Sequence, residues 1–165
     1  MLKELLVRVD GLPPSFFIAA AAIETDWGTS RVVADGNALY KQVVWHSKEG
    51  LNPADEKEDL TYRIKTYPDL YAAMYDFALK INTQPGFSHF RDYRRELRGR
   101  GSYLQGTTLA HALIWNSPLQ NYAGILEYTI AFYELNVIDK SLLDSKMIAK
   151  ELPPALEQLR LSPQE

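Results

Sequence analysis

Cysteine is absent from this 165-residue sequence. The chain therefore has no disulfide framework and no thiolate chemistry. No apolar run approaches the roughly 20 residues that a membrane-spanning helix needs, so we expect no transmembrane segment. The net charge is only -3, whereas a general nucleic-acid binder is normally basic. These absences argue against a membrane-spanning protein and against a nucleic-acid partner.

Histidine is also scarce. The chain has three, His46, His89 and His111, and they stand far apart. They form no metal-binding spacing such as H-E-x-x-H. The sequence has no glycine-rich phosphate loop and no G-x-S-x-G nucleophile elbow. It therefore predicts neither a metal site nor a cofactor.

The remaining composition is ordinary for a globular protein, with 46% hydrophobic and 24% charged residues. A chain of this length can bury a substantial core in one domain. We expect a single domain over residues 1–165, with a core at about 12–136 and a C-terminal helical tail at about 138–165. Residues 1–9 alternate charged residues with leucine, which is typical of an amphipathic helix end and not of a signal peptide.

Helical patterns dominate the chain. Proline is tolerated in a first helical turn, so Pro14 predicts the start of an alanine-rich helix over 14–25. Residues 41–67 differ, because two β-prone stretches flank a polar, acidic loop, which predicts a β-hairpin lobe. Further helices are predicted at 30–34, after Pro68, at 87–98, at 107–115, from Ser117 and, more weakly, from Asp139.

Glu24 ends the alanine-rich segment and is the strongest candidate for chemistry. Four alanines, Ile23 and Trp27 place apolar groups around its carboxyl group. Desolvation disfavours the charged form of a carboxylate, so we expect a raised pKa. A carboxylic acid that keeps its proton near neutral pH can protonate a leaving oxygen. On residue types alone, a structural acid that caps or salt-bridges a neighbour is the alternative.

The stretch Glu24-Thr25-Asp26-Trp27-Gly28-Thr29-Ser30, followed by Gly36-Asn37-Ala38-Leu39-Tyr40, resembles the pattern Glu-Ser-x-Trp-Gly-x-Ser … Gly-Asn-Asn-Leu-Phe-Gly. That pattern belongs to the bacterial glucosaminidase domain of glycoside hydrolase family 73, and more closely to its Bax-type branch. The similarity runs from about Leu12 to Asn136. It implies a mainly α (α+β) fold, a lysozyme-like helical domain with a small β-hairpin lobe that lines a glycan cleft.

The resemblance also implies a function. We expect a peptidoglycan hydrolase, an endo-β-N-acetylglucosaminidase that cleaves the β-1,4-glycosidic bond after N-acetylglucosamine, with Glu24 as general acid. Its partner would be peptidoglycan glycan strands in the periplasm or cell envelope, with the export signal upstream of this chain. The alternative is a non-catalytic module that binds peptidoglycan or chitooligosaccharides. Hydrolysis of the sugar–peptide amide is disfavoured, because that reaction commonly uses a metal-bound water.

The second catalytic carboxylate has no direct counterpart at the aligned position of this sequence. In the resembling family it comes from the hairpin, and alignment places it on Arg63, which cannot act as a base or nucleophile. Glu56 and Glu58 lie a few residues upstream and are the candidates. Participation of the substrate's acetamido group, an impaired site, and a purely solvated role for both acids stay open. A carboxylate separation of about 5 Å would favour a nucleophile, and roughly 6.5–9.5 Å would leave room for a water.

A glycan cleft needs flat apolar faces with polar edges. Tyr122 is favoured because it matches a tyrosine in a late helix of the family, and Asn37 because it matches the first asparagine of the Asn-Asn pair. Lys41 departs from the pattern, since it stands where the family has glycine. The predicted substrate-binding residues are Trp27, Asn37, Tyr40, Trp45, Tyr67, Trp115 and Tyr122; for each aromatic residue, a position in the core is the alternative.

A cluster of arginines is interleaved with Asp92 and Glu96 at helical spacing. This spacing predicts a salt-bridged, solvated helix face. Binding of an anionic cell-wall polymer is the alternative interpretation. The cluster consists of Arg91, Arg94, Arg95, Arg98 and Arg100.

Overall fold

The structure is a computed structural model that describes residues 2–46, 49–53, 61–113 and 121–141. These residues form a mostly helical fold with a small antiparallel sheet, which confirms the predicted mainly α (α+β) class. None of the helices in these ranges is long and apolar enough to span a membrane. The elements are α1 (Leu2–Arg8), α2 (Pro14–Thr25), α3 (Arg31–Gly36), β1 (Val43–Trp45), β2 (Tyr62–Ile64), α4 (Leu70–Thr83), a 3-10 turn (Pro85–Phe87), α5 (Ser88–Gly99), α6 (Gly106–Ala110), α7 (Tyr122–Phe132) and α8 (Asn136–Ser141).

Helix α2 runs through the centre of the core and has the predicted bounds, Pro14–Thr25. Phe16, Ala19 and Ala20 are fully buried in it. Alanine side chains are small, so neighbouring helices can approach the α2 backbone closely. Leu126 and Ile130 of α7 belong to the same buried cluster. The alanine-rich composition thus gives a close-packed helix, and Glu24 lies on its last turn.

The chain reverses direction directly after α2. Asp26, Trp27 and Gly28 have φ values of 50°, 57° and 81°, which place all three in the left-handed region. The Trp27 N–H donates to the Ala22 carbonyl at 3.0 Å and closes the helix end. Glycine adopts this region without strain, whereas a bulky residue such as Trp27 is unusual there. The reversal therefore begins two residues before the glycine, which the sequence pattern did not predict.

A single buried carboxylate joins three helices. Asp139 of α8 accepts from the Ser15 hydroxyl at 2.6 Å and from the Ser15 N–H at 2.8 Å. It also accepts from the Gly106 N–H, the first residue of α6, at 3.0 Å. A Cβ atom at Gly106 would collide with the Ser15 hydroxyl, so this close approach requires glycine. Asp139 thus satisfies N–H groups at the starts of α2 and α6, which have no partner inside their own helices.

Two of the clustered arginines are buried. Arg91 and Arg94 are 4% and 0% exposed. Arg94 donates to the Val7 carbonyl and to the Asn82 side chain, both at 2.7 Å. Arg91 donates to the Ile81 carbonyl at 2.8 Å. The predicted solvated face is therefore wrong for Arg91 and Arg94, whose guanidinium groups instead satisfy backbone carbonyls between α1, α4 and α5.

The other arginines of the cluster do lie at the surface. Arg95 pairs with Asp92 at 2.8 Å and Arg100 pairs with Glu96 at 2.5 Å, as the interleaved charges predict. Arg98 reaches Asp10 at 2.9 Å. A cavity of about 430 Å³ adjoins α1 and α5 at this cluster. Glu24 is not among its lining residues.

The predicted β-hairpin forms between β1 and β2. Val43 pairs with Ile64, Val44 with Arg63, and Trp45 with Tyr62 in antiparallel register. Leu51 forms a further antiparallel bridge to Ile64. The strands are shorter than the β-prone stretches of the sequence. Residues 47–48 and 54–60, which include much of the predicted acidic loop, lie outside the described residues.

Candidate active site

Glu24 projects from the last turn of α2 into a partly buried environment. Burial raises the pKa of its carboxyl group above the ordinary value. The ammonium groups of Lys41 and Lys80 act electrostatically in the opposite direction, and so does a hydrogen bond from Tyr122. The effect of desolvation on the pKa is larger than the effects of these three groups, so the pKa stays raised. The direction of the shift agrees with the prediction from sequence, and it makes Glu24 a group that can deliver a proton.

Tyr122 lies at the start of α7, with its ring buried. Asn121 caps the start of this helix, since its side-chain oxygen accepts from the Gly124 N–H at 3.3 Å. Burial raises the pKa of Tyr122 well above its ordinary value, and the neighbouring Glu24 carboxyl raises it further. The phenol therefore stays protonated and acts as a hydrogen-bond donor to Glu24. Tyr122, a predicted substrate-binding residue, thus contacts the candidate acid directly.

Tyr40 lies in the core, which was the alternative to a substrate-binding role. It is 4% exposed, and its ring stacks on Phe77 with a centroid distance of 4.0 Å and an interplanar angle of 5°. Its hydroxyl donates to the Phe17 carbonyl at 3.5 Å. A ring that is covered in this way has no face left for a sugar. The resembling pattern has phenylalanine at this position, and Tyr40 likewise serves the core.

Asn37 holds the turn between α3 and the β-lobe. It ends α3 with a left-handed φ of 52°, a conformation that asparagine tolerates well. Its side-chain amide donates to the Tyr67 carbonyl at 2.9 Å. The Tyr67 N–H in turn donates to the Gly36 carbonyl at 2.9 Å. These bonds fix the exit of β2 against α3, so the amide that was predicted to bind substrate has a partner inside the protein.

Tyr67 belongs to a polar network centred on Asp76 of α4. Asp76 Oδ2 accepts from the Tyr67 hydroxyl at 2.7 Å, from Lys65 Nζ at 2.8 Å and from Gln42 Nε2 at 2.9 Å. Burial alone would raise the pKa of Asp76, but the bonds from Lys65 and Tyr67 outweigh burial and leave it lowered. The ionised carboxylate therefore ties both ends of the β-lobe to α4. No motif or local pattern in the sequence pointed to Asp76 or Gln42.

A polar cavity of about 230 Å³ lies between β1 and α4. Lys80 connects this cavity to the candidate acid. Desolvation lowers the pKa of Lys80, and the charges of Asp76 and Glu24 both act to raise it. Lys80 thus interacts electrostatically with both Asp76 and Glu24. The cavity is lined by Gln42, Val43, Val44, Lys65, Asp76, Leu79, Lys80, Thr83 and Gln84.

Two of the predicted tryptophans have exposed faces. Trp27 is 49% exposed, and its ring meets Tyr133 edge-on at a centroid distance of 4.5 Å. Trp45 is 62% exposed on β1, with Tyr62 of β2 at 5.4 Å. Both rings could stack on a sugar without rearrangement of the core.

Three of the predicted site residues, Glu56, Glu58 and Trp115, lie outside the described residues. Arg63, which occupies the expected position of the second acid, lies on β2 and donates to the Asn52 side chain at 2.5 Å. No metal-binding group of three or more His, Cys, Asp or Glu side chains occurs within the described ranges. Of the three predicted catalytic acids, Glu24 is the one that lies within the described residues.

Residues 4–135 match the sequence model of the Glucosaminidase family, described as mannosyl-glycoprotein endo-beta-N-acetylglucosaminidase. The chain belongs to this family, which confirms the resemblance seen in the sequence. Glu24, with its raised pKa and the hydrogen bond from Tyr122, therefore lies in a domain of the Glucosaminidase family.

Two curated relatives extend the comparison. The chain is 28% identical to Protein bax of Escherichia coli (strain K12) over 109 residues, which cover 66% of this chain and 38% of that protein. It is 27% identical to a Probable N-acetylmuramidase of Lactococcus lactis over 139 residues, which cover 79% of this chain and 31% of that protein. The chain thus aligns with only about a third of the length of these relatives.

A solved structure supports the fold. The catalytic domain of the autolysin Auto from Listeria monocytogenes superimposes with a TM-score of 0.52. The match covers 77% of this chain and 75% of that domain, at 20% sequence identity. At this identity the comparison bears on architecture alone, and it agrees with a helical domain that carries a small β-lobe.

Proposed function

We propose that this chain is a glycoside hydrolase domain that cleaves the β-1,4 bond after N-acetylglucosamine in peptidoglycan. The observation that carries the proposal is the environment of Glu24: a partly buried carboxyl group with a raised pKa at the end of α2, bonded by Tyr122. A second proposal, that the protein works in the periplasm or cell envelope, follows from where peptidoglycan is found.

In the proposed reaction, Glu24 donates its proton to the glycosidic oxygen as the bond to the sugar carbon breaks. The resulting carboxylate accepts the hydrogen bond that Tyr122 donates, and this bond favours the ionised form of Glu24. Lys41 and Lys80 also favour that form. These three groups therefore stabilise the charge that appears on Glu24 during proton transfer, which is when stabilisation accelerates the reaction.

The partner of Glu24 stabilises or attacks the oxocarbenium-like carbon. We keep Glu56 and Glu58 as candidates, with the acetamido group of the substrate as the alternative. Glu56→Gln, Glu58→Gln and the double substitution distinguish these. A loss of activity in one single variant identifies the acid, whereas full activity in the double variant assigns the role to the substrate.

Exposed aromatic rings provide the binding energy in this proposal. Trp27 and Trp45 have open faces, and Tyr67 lies at the junction of the β-lobe and α4. Trp115 stays a candidate from sequence. Aromatic rings that are apolar on the face and polar at the edge suit the alternating surfaces of sugar rings.

The test of the proposed function is Glu24→Gln. General acid catalysis contributes about 10²- to 10⁴-fold, so we expect a loss of that size in the release of reducing ends from purified cell walls. Glu96→Gln is the matched control, because Glu96 lies on the surface of α5 and pairs with Arg100. Wild-type rates in Glu24→Gln would remove Glu24 from the mechanism.

The bond that is cut requires a separate measurement, because one relative is named a muramidase. Mass analysis of the released fragments identifies the new reducing-end sugar. N-acetylglucosamine at that end supports the proposed bond, and N-acetylmuramic acid contradicts it.

A glycan-binding module without turnover is the second candidate, favoured by Arg63 at the position expected for the second acid. Saturable binding of chitooligosaccharides by the wild-type protein, with no product after long incubation, would establish that alternative.

A further inference from the structure

The segments that form α1 and α5 carry positive charge in a protein whose net charge is negative. Residues 1–12 and 88–100 contain seven lysines and arginines against four aspartates and glutamates, whereas the whole chain has a net charge of -3. The rest of the chain therefore has an excess of negative charge. A charge distribution of this kind favours contact with an anionic partner through one face of the molecule.

Arg95 and Arg98 are the accessible cations of this face. Their side chains are 59% and 49% exposed, and both line the cavity of about 430 Å³ that adjoins α1 and α5. Their ion pairs with Asp92 and Asp10 are partly open to solvent, and such pairs contribute little stability, so a phosphate group can replace the carboxylate at small cost. A guanidinium group also suits phosphate, because it can donate two parallel hydrogen bonds.

Exposed apolar side chains lie on the same face. Leu5, Leu6 and Val9 are 54%, 59% and 64% exposed. The Val9 N–H donates to the Leu5 carbonyl at 3.0 Å, so the helical turn continues and places Val9 on the same side as Leu5. Leu6 lines the cavity together with Arg95 and Arg98. The α1–α5 face, which consists of these five residues, thus combines apolar side chains with guanidinium groups.

Helix α1 is fixed to the rest of the protein by bonds that leave this apolar side outward. The Arg94 guanidinium donates to the Val7 carbonyl at 2.7 Å, and the Asn82 side chain donates to the Asp10 carbonyl at 3.2 Å. Val7 is 9% exposed and supplies the inward side of the helix. A partner would therefore meet an apolar surface that needs no rearrangement, which lowers the cost of binding.

We propose that the α1–α5 face binds the surface of an anionic phospholipid membrane. Leu5, Leu6 and Val9 enter the boundary between headgroups and acyl chains, while Arg95 and Arg98 bond lipid phosphates. Apolar side chains beside cations are typical of helices that lie in a membrane interface. A lipid surface is favoured over a soluble polyanion, because a soluble polyanion would leave the three apolar side chains in water. The inference does not depend on the proposed hydrolysis.

The experiment measures sedimentation of the full chain with two kinds of vesicle, one of phosphatidylcholine alone and one of phosphatidylcholine with an equal part of phosphatidylglycerol. The variants are Arg95→Gln and Val9→Asn. Arg31→Gln is the control for charge, because Arg31 lies on α3 and forms an exposed pair with Asp35. Val137→Asn is the control for apolar exposure, because Val137 is 69% exposed on α8.

We expect the wild-type protein to bind the mixed vesicles and to leave the neutral ones in suspension. Arg95→Gln should weaken binding by about fivefold, which is the contribution of one basic residue near an anionic surface. Val9→Asn should weaken binding by roughly threefold to tenfold, because a partly exposed valine no longer enters an apolar region. Both control variants should bind as wild type does. Raised salt should weaken binding of the wild type more than that of Arg95→Gln.

Soluble polyphosphate, added as a competitor, tests the other source of phosphate. Release of the protein by polyphosphate, together with unchanged binding of Val9→Asn, would overturn the membrane in favour of a polymer site. Equal binding to both kinds of vesicle, binding to neither, or variants that match their controls would also contradict the proposal. Arg95→Gln and Val9→Asn should hydrolyse soluble glycan fragments at the wild-type rate, and this measurement keeps membrane binding separate from the proposed function.

Discussion

Arg94 Nε lies 3.4 Å from Asp10 Oδ2, and the whole Arg94 side chain is enclosed by protein. The ion pair joins α5 to the segment after α1. Within the described residues, Nε itself makes no hydrogen bond, so the contact with Asp10 is electrostatic. The other guanidinium nitrogens bond to Val7, Gly11 and Asn82. One buried cation therefore holds the N-terminal helix on the rest of the core.

Arg94→Met should destabilise the protein strongly. The substitution leaves the Val7 carbonyl and Asn82 without their partner, and removal of one member of a buried ion pair costs about 3–5 kcal/mol. Arg95→Met is the control, since the exposed pair with Asp92 is worth at most about 1 kcal/mol. Urea unfolding of both variants measures the difference. Equal midpoints would show that Arg94 contributes no more than a surface arginine.

Asp139→Ala should also destabilise the fold. Three donors in Ser15 and Gly106 would lose their acceptor in a buried place, which costs roughly 2–4 kcal/mol. Asp139→Asn keeps an acceptor oxygen and the volume, so we expect a smaller loss. Guanidinium unfolding measures both. Equal stability of Asp139→Ala and wild type would mean that α8 does not secure the starts of α2 and α6.

Glu24→Gln should change how stability depends on pH. The raised pKa means that the folded protein binds the Glu24 proton more tightly than the unfolded chain does. This proton therefore stabilises the fold fully at a pH below the pKa of the unfolded chain. The stabilisation is lost as the pH rises through the higher pKa of the folded protein. Glutamine cannot ionise and avoids this loss. The variant should therefore gain stability relative to wild type as pH rises from acid to neutral.

The measurement is thermal unfolding of the Glu24→Gln and wild-type proteins across that pH range, with Glu96→Gln as a reference for a surface acid. A difference between Glu24→Gln and wild type that stays constant with pH would show that burial does not perturb Glu24.

Lys41→Gly should stabilise the protein by about 1 kcal/mol, because glycine relieves a left-handed conformation that costs a non-glycine residue on that order. Asn37→Gly is a useful contrast. Asn37 is also left-handed, but its amide bonds to the Tyr67 carbonyl, so its replacement should destabilise. Differential scanning calorimetry of the two variants gives both signs. A destabilised Lys41→Gly protein would contradict the strain.

The fold was largely predictable from local patterns. The alanine run and Pro14 predicted α2 with its observed bounds, because proline and helix-forming residues act through neighbouring residues. The β-prone stretches predicted the hairpin for the same reason. Burial of Arg91 and Arg94 was not predictable, since interleaved charges describe an exposed helix equally well. Only the tertiary position of α1 and α4 decides which arginines meet backbone carbonyls.

The candidate site was predictable in part. Glu24 stood out because its apolar neighbours are adjacent in sequence, and Tyr122 stood out through the family pattern. Asp76 carried no local signal, because its partners come from both ends of the hairpin and meet it only in the folded chain. The sequence could not decide between the cleft and the core for Tyr40, because an aromatic residue beside a site motif can equally pack inward, as its stack on Phe77 shows.

The bond between Ser15 and Asp139 spans 124 residues of sequence. Closing so long a loop has an entropic cost, which the other contacts of the folded core help to offset. During synthesis, the start of α2 lacks this acceptor until α8 has been made. The helix that presents the candidate acid is thus secured at its start by a segment far along the sequence, which links the candidate site to α8.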